Sequence, residues 1–357
     1  MEIAKKLGLE QEKFCKMCLK TKMLLSNIIG HAAELQYEKF MENSGILYEK
    51  APVDKHYDYI VNNKKEQVKR YEVSSTNLKK VGVNLTQTHG DRSAQDAFYK
   101  EGSFDRLVIC DLSLKQFIFR DFDDIPRNQK YSTHLPGKIK IEREFSSEDP
   151  FDIDFFNTMK NANKKFPPAL ESLREKYNLG YSELLSKVCN LSLEEVDSLF
   201  CEDNFRLITG AKGFAAEEHF NDFLEMHNIS YEQDTNMYSK VDHWLDALRV
   251  QVKFPNLRAC DNHNWAVKTH KSHGSGVGEL YKDDVFDVLA LFIGFEMDEK
   301  IDKYLPQSVS NKWLFIPMEE LERHHEHREY LKRVPKINKN KYKINDIDYL
   351  KFKIRNN

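Results

Sequence analysis

The chain lacks the marks of several specialised classes. Its 357 residues carry 54 Lys+Arg against 57 Asp+Glu, a formal net charge of −3. That excludes a basic nucleic-acid coat, so any charge that grips a polyanion must be gathered locally. No uninterrupted apolar run approaches the ~20 residues of a membrane span. The opening stretch MEIAKKLGLE holds no apolar core of the signal-peptide kind. These absences point to a cytoplasmic protein without a membrane partner. Cysteine is scarce, six in all, which argues against a disulfide scaffold and fits a reducing compartment. Cys15 and Cys18 form the one C-x-x-C, and Cys189 and Cys201 are too far apart to make a second pair. A tetrahedral zinc site is therefore unsupported, and these cysteines are expected on helix faces. RHHEHR (323–328) is not H-E-x-x-H and reads as a solvated helix face. Gly274, Gly276 and Gly278 neither follow a clear strand nor open a clear helix, which argues against a dinucleotide loop.

What the chain does have is a repeat. It is 40% hydrophobic and 31% charged, ordinary for a globular protein of two or three domains. GHAAELQYEKFMENSGILYEK (30–50) aligns without a gap to GFAAEEHFNDFLEMHNISYEQ (213–233), an offset of 183 residues (213 − 30). Asp58 aligns with Asp242, Gln67-Val68-Lys69 with Gln251-Val252-Lys253, and YKEGSFDRLVI (99–109) with YKDDVFDVLAL (281–291). Blocks in one order at nearly constant offset indicate a tandem duplication. A weaker likeness relates IAKKLGLEQEKFCKM (3–17) to LLSKVCNLSLEEVDSL (184–199). Both read as two short helices joined by a tight turn, either a helix-turn-helix or a bracing hairpin. The division expected is a helical segment 1–26, a first copy 27–150, a linker with a helical segment 151–205, and a second copy 206–357.

Within each copy the pattern alternates helix and strand. Ile28, Ile29, Ala32, Ala33, Leu35, Phe40 and Met41 supply an apolar helical stripe around Glu34 and Glu38. Gly45 and Asn228 are positioned to end this helix in the respective copies. Asn62-Asn63 signals a hairpin between HYDYIV and KKEQVKRYEV; in the second copy the turn falls near Asp246-Ala247. Strand alternation puts Gln67 and Lys69 on one face and Val68 on the other, and the same holds for Gln251, Lys253 and Val252. Asp58 reaches that face from across the hairpin, and Glu34 from the preceding helix. FDRLVICDL and FDVLALFIGF are nearly continuous apolar runs, expected as central strands. KQFIFRDFDDIP and KWLFIPMEELER read as a further strand and a turn into a helix.

Two carboxylates, a glutamine and a lysine make an oxygen-rich site with one cation beside it. Oxygen ligands select hard ions such as Mg²⁺, and a lysine there stabilises charge developing on phosphorus. In this order and spacing, Glu, Asp and strand Gln-x-Lys resemble the PD-(D/E)XK nuclease superfamily. The Gln-x-Lys form is similar to the branch that includes group I intron homing endonucleases. The resemblance covers roughly 30–126 and 213–323. It implies an α/β protein with mixed sheets, two tandem restriction-endonuclease-like αβββαβ domains each preceded by a small helical segment. It implies Mg²⁺-dependent DNA cleavage, with Mn²⁺ able to substitute. Carried over residue by residue, the catalytic set is Glu34, Asp58, Gln67 and Lys69 in one copy, and Glu217, Asp242, Gln251 and Lys253 in the other. The metal ligands are Glu34, Asp58, Glu217 and Asp242. The chain departs from the pattern in two ways. Tyr57 and Val241 stand where the proline would precede each aspartate, and the neutral glutamine leaves each site one carboxylate short. Asp246 competes with Asp242 as the second copy's ligand, although spacing favours Asp242.

Lys64, Lys65 and Arg70 in the first copy are the candidate contacts to double-stranded DNA. In the second they are Arg249, Arg258, Lys268, His270 and Lys271, with Trp265. The expectation is a monomeric pseudo-dimer, a restriction or homing endonuclease that cuts both strands with two sites in one chain. A structure-specific repair or junction nuclease, and a non-catalytic DNA-binding module, are the alternatives.

Overall fold

A computed structural model describes the whole chain except residues 21, 53–54, 72–79, 87–97, 112–115, 143–148, 163–165, 202–203, 235–238, 273–277, 283, 298–303 and 357. The divergent loop GDRSAQDA (90–97) and most of the glycine-rich loop, including Gly274 and Gly276, lie outside the described residues. The chain divides into two compact units. One is Cys18–Leu199; the other joins Met1–Met17 to Phe200–His273 and Val277–Asn357. The helices α1 (Glu2–Lys6) and α2 (Gln11–Lys20) thus open the chain, yet all but the end of α2 groups with the downstream repeat.

The continuous unit begins with α3 (Lys22–Asn43), followed by β1 (Tyr48–Lys50), β2 (Tyr59–Val61) and β3 (Lys64–Arg70). Then come β4 (Lys80–Asn84), β5 (Arg106–Asp111), β6 (Gln116–Asp121) and β7 (Lys138–Glu142). Helices α4 (Pro150–Ala162), α5 (Phe166–Lys176), α6 (Tyr181–Cys189) and α7 (Leu193–Ser198) complete it. Its sheet runs β1-β2-β3-β5-β6. Only the β3–β5 pair is parallel, so the sheet is mixed. Asn62 and Asn63 take φ of 49° and 63°, the left-handed pair a tight β2–β3 hairpin demands.

The second unit holds α8 (Phe205–Met226), β8 (Glu232–Gln233), β9 (His243–Leu245) and β10 (Leu248–Lys253). Next are β11 (Asn264–Ala266), β12 (His270–Ser272), β13 (Gly278–Leu280) and β14 (Val288–Phe292). It ends with β15 (Phe295–Glu296), β16 (Ser308–Val309), β17 (Trp313–Pro317), β18 (Lys336–Asn338) and α9 (Ile347–Asn356). The order β17-β14-β10-β9-β8, with β10 and β14 parallel, repeats the first sheet. Register is repeated too: Gln67 pairs with Leu107 and Gln251 with Leu289, which are equivalent positions. Two mixed five-stranded sheets of one topology are the architecture that the internal repeat implies. In the second unit the described part of the crossover between the parallel strands is built from β11, β12, β13 and a 3-10 turn, Leu257–Ala259.

Each sheet earns its continuous apolar strands by being covered on both sides. In the second unit Val288, Ala290 and Phe292 of β14 pack with Phe220, Phe223 and Leu224 of α8. Leu289 and Leu291, one residue out of phase, pack against Tyr281, Phe286 and Leu331 on the opposite face. Cys15 and Cys18 are buried on α2. Two expectations change. The strands β6 and β17 run into single 3-10 turns, Phe122–Asp124 and Met318–Glu320, not into longer helices. RHHEHR is a bridged and bent loop: Arg323 bridges Leu331, and the His324 and His327 rings stack 5.4 Å apart. Its alternating charges would serve a solvated helix equally well, so composition could not tell the two apart.

The helix–sheet interface differs between copies in a correlated way. In the first, Glu66 on β3 is fully buried, accepts from the Tyr37 hydroxyl at 2.5 Å and is paired with Arg106. The equivalent residues of the second copy are Phe220, Val250 and Val288, all fully buried. A polar triad in one copy is an apolar triad in the other. Breaking a buried pair strands a charge, whereas replacing the whole set need cost little. Glu66→Ala is therefore expected to destabilise by about 3 kcal/mol, read as the urea midpoint. Tyr37→Phe/Glu66→Val/Arg106→Val, which copies the second repeat, is expected to return most of that loss.

Candidate active sites

The hairpin that precedes each Gln-x-Lys strand delivers an aspartate onto it. Asp58 stands just before β2. Its backbone N–H donates to the Glu66 carbonyl at 2.8 Å, and its Oδ2 accepts from the Val68 N–H at 2.7 Å. The side chain thus replaces a rung of the β2–β3 ladder. The same Oδ2 accepts from Gln67 Nε2. In the second copy the Asp242 N–H donates to the Val250 carbonyl at 2.9 Å, and Oδ2 accepts from the Val252 N–H at 2.8 Å and from Gln251 Nε2. Asp246, the rival ligand, sits at the exposed hairpin turn with φ of 53°. It is a turn residue, and Asp242 is the one held against Gln251.

The lysines and helix glutamates share these surroundings. Asp58 is pushed up to about 7, first by burial and then by the Glu34 carboxylate; Lys69, the Val68 N–H and His31 pull the other way. Burial draws Lys69 down, but Tyr99, Asp58 and Glu34 together outweigh it, so its pKa stands above the ordinary lysine value. Lys253 behaves alike: Tyr281, Asp242 and Glu217 together outweigh its burial. Each lysine is therefore a fixed cation at neutral pH, suited to stabilising negative charge and not to taking a proton. Glu34 Oε2 lies 3.3 Å from His31 Nδ1, whereas the second copy has Phe214 at the position of His31.

Sequence reasoning passed over Tyr99 and Tyr281. Lys69 Nζ lies 5.5 Å from the Tyr99 ring centroid, and Tyr281, buried at the equivalent position, is the leading group favouring charged Lys253. Their signal was present, because both open a matched block. It also missed the job of the aspartate in FDR and FDV. Asp105 accepts from the Lys65 N–H at 2.7 Å and Asp287 from the Arg249 N–H at 2.8 Å, which pins the parallel strands in register.

The nucleic-acid candidates are more dispersed. Arg249 is already engaged: its guanidinium donates to both Asp287 oxygens and to the Asp284 carbonyl. Arg70 donates to the Tyr71 carbonyl at 2.8 Å, Lys64 is 3.6 Å from Asp121, and Lys65 lies over the Tyr57 ring. Arg258 and Lys268 are exposed, and Trp265 is half-buried beneath Lys339 Nζ, 4.4 Å from its ring centroid. His270 and Lys271 belong to β12, and their side chains lie outside the described residues.

The donor set can be tested against a hard cation. Among the described residues no three His, Cys, Asp or Glu side chains gather as a metal site. Each copy offers two carboxylates and an amide. Gln251 is fully buried, its amide nitrogen is committed to Asp242, and its Oε1 has no hydrogen-bond partner. An orphaned buried oxygen beside a carboxylate is costly unless something completes it, and an oxygen-seeking ion such as Mg²⁺ would do so.

No family model matches the sequence, and no curated protein matches it. Among solved structures, that of a bacterial homing endonuclease, I-Ssp6803I, is similar over 36% of this chain and 85% of that one. The identity is 18% and the TM-score 0.26.

The raised Asp58 pKa has a readable consequence. Its folded form holds the proton better than the unfolded chain, where the value is 3.8. The stabilisation is full below pH 4 and is lost as pH climbs to about 7. Relative to Asp58→Asn, the wild type is expected to lose stability between pH 4 and 7, by roughly 4 kcal/mol at most, and to run parallel above. Urea melts of both proteins across that range measure the difference; a difference flat with pH contradicts it.

Proposed function

We propose that the chain is a double-strand DNA endonuclease with two active sites, each hydrolysing a phosphodiester with the help of Mg²⁺. The observation that carries this reading is the recurrence of one constellation in two sheets of identical register. A carboxylate is hydrogen-bonded across a hairpin to Gln-x-Lys, with a helix glutamate in electrostatic reach. One such set is common on protein surfaces; two at equivalent positions, both with a tyrosine beside the lysine, support the reading of a retained function.

The division of labour follows from the atoms. Glu34 with Asp58, and Glu217 with Asp242, are the carboxylates that would hold the ion, joined by the Gln67 and Gln251 amide oxygens. When bound, Mg²⁺ polarises a phosphoryl oxygen and lowers the pKa of its water. Lys69 and Lys253 would offer a permanent positive charge to the negative charge that develops on the phosphorane oxygens. Tyr99 and Tyr281 flank those ammonium groups and limit their freedom. Gln67 and Gln251 orient the aspartates through their amide N–H, leaving the second carboxylate oxygen for the ion. Arg258 and Lys268, both exposed, are candidates to meet phosphates. Two sites in one chain serve two strands without a second subunit, and divergence between copies suits an asymmetric target.

Supercoiled plasmid with Mg²⁺ separates the sites. Wild type is expected to linearise it, Lys69→Ala and Lys253→Ala each mainly to nick it, and the double variant to leave it intact. Loss of all cutting on Lys69→Ala alone contradicts the two-site reading. Binding of DNA by wild type without any cutting contradicts catalysis altogether.

A further inference from the structure

The two helical hairpins carry a feature that catalysis does not use. The α1–α2 hairpin belongs to the unit of the second repeat, and α6–α7 to the unit of the first. Each precedes its own repeat in the chain and is packed with the other one. The seating is alike in both units, with the contacted carbonyl one residue further along in the first. Gly8 and Asn190, 182 residues apart (190 − 8), make the left-handed turn, with φ of 69° and 51°. His219 Nε2 lies 2.7 Å from the Leu7 carbonyl, and Gln36 Nε2 donates to the Asn190 carbonyl at 2.6 Å. His219 and Gln36 are equivalent positions of α8 and α3. Gly8 is also sterically required: a Cβ there would come within 3.0 Å of Val309 Cβ and 3.1 Å of the His219 ring.

One turn further on stands an ion pair, and its polarity is reversed between the units. In the second unit the hairpin supplies the cation: Lys13 Nζ lies 2.5 Å from Asp222 Oδ1 and 3.7 Å from Glu218. In the first unit the hairpin supplies the anion, Glu195, paired with Lys39 of α3. Lys13 and Glu195 are equivalent in the hairpins, and Lys39 and Asp222 in the long helices. If each hairpin sat on the helix of its own repeat, Lys13 would face Lys39, and Glu195 would face Asp222 and Glu218. Both alternatives set like charges together, which costs free energy in proportion to how far water is excluded.

We propose that these reversed pairs are a sorting code: they direct each helical hairpin to the long helix of the opposite repeat, the partner it fits by charge. The left-handed turn is common to both hairpins and, apart from the room that only Gly8 leaves beside Val309 and His219, does not distinguish the two helices. The charges do, through attraction to the right helix and repulsion from the wrong one. A duplicated chain needs such a device, because duplication creates two nearly identical docking sites within reach of two nearly identical hairpins. This inference does not depend on nuclease activity.

The test uses the full-length chain. Carbodiimide cross-linking, which joins an amine to a touching carboxylate, is expected to link Lys13 to Asp222 or Glu218 and Lys39 to Glu195 within one monomer. Asp222→Lys is expected to lower the folded-to-unfolded ratio on the order of fivefold, and Lys13→Glu/Asp222→Lys to recover it. The decisive variant is Lys39→Glu/Asp222→Lys, which leaves the Glu195 cap of α7 intact and inverts both helices. Its cross-links are expected to move to Lys13 with position 39 and Glu195 with position 222, or its monomer to give way to oligomers. Failure of Lys13→Glu to rescue Asp222→Lys overturns the proposal. So does unchanged seating of both hairpins in the inverted double variant, seen as wild-type amide-exchange protection in α1, α2, α6 and α7 of a monomer.

Discussion

Each candidate site depends on one carboxylate that does a backbone's work. Asp58 Oδ2 takes the Val68 N–H, and Asp242 Oδ2 takes the Val252 N–H, where a strand carbonyl would otherwise sit. An unpaired strand N–H in this position would be costly, so the aspartate is held to a single place by the ladder itself. That placement brings the same oxygen to the glutamine amide and sets the carboxylate's field on the lysine two residues along. The spacing of eleven residues from aspartate to lysine (69 − 58 and 253 − 242) is the length of this arrangement: three residues of the first strand, two of the turn and six of the second strand. It is fixed by hydrogen-bond geometry, which explains why it survives in both copies while the surrounding residues change.

Those changes are correlated, not random. Tyr37, Glu66 and Arg106 become Phe220, Val250 and Val288. The Tyr59–Glu38 hydrogen bond of 2.6 Å becomes one of 2.7 Å between His243 and Asn221. Lys39–Glu195 becomes Asp222–Lys13 with the signs exchanged. At these three places the members of a contact change together. A half-changed contact leaves a buried polar atom unpaired or two like charges facing, whereas a fully changed one is close to neutral. At these contacts the copies have drifted apart by whole interactions, while the backbone that carries Gln-x-Lys stays the same.

How much of this can be read from the sequence depends on the range of each interaction. The repeat, the Asn62-Asn63 turn, the buried strands around Leu107–Cys110 and Val288–Phe292, and the face shared by Gln67 and Lys69 follow from local periodicity. Asp242 wins over Asp246 because a hairpin turn needs a residue tolerant of positive φ, which Asp246 supplies. Long-range partners are not legible in this way. Nothing near Arg249 in the sequence reveals that Asp287 and the Asp284 carbonyl claim its guanidinium. Tyr99 and Tyr281 are ordinary aromatics until a strand crossover sets them beside the lysines. The exchange of the hairpins is invisible because chain order records which helix precedes which, not which helix receives which. The histidine-rich loop was misread for a related reason: a solvated surface accepts the same residues in a helix or a bend.

On the proposed reading each unit holds its own cation site, built on its own aspartate. Titration with Mn²⁺, followed by electron paramagnetic resonance of the free ion, tests it without reliance on cleavage. Asp58→Asn is expected to remove half of the specifically bound ions, Asp242→Asn the other half, and the double variant all of them. A wild type that binds no Mn²⁺, or a single variant that loses every bound ion, contradicts the account.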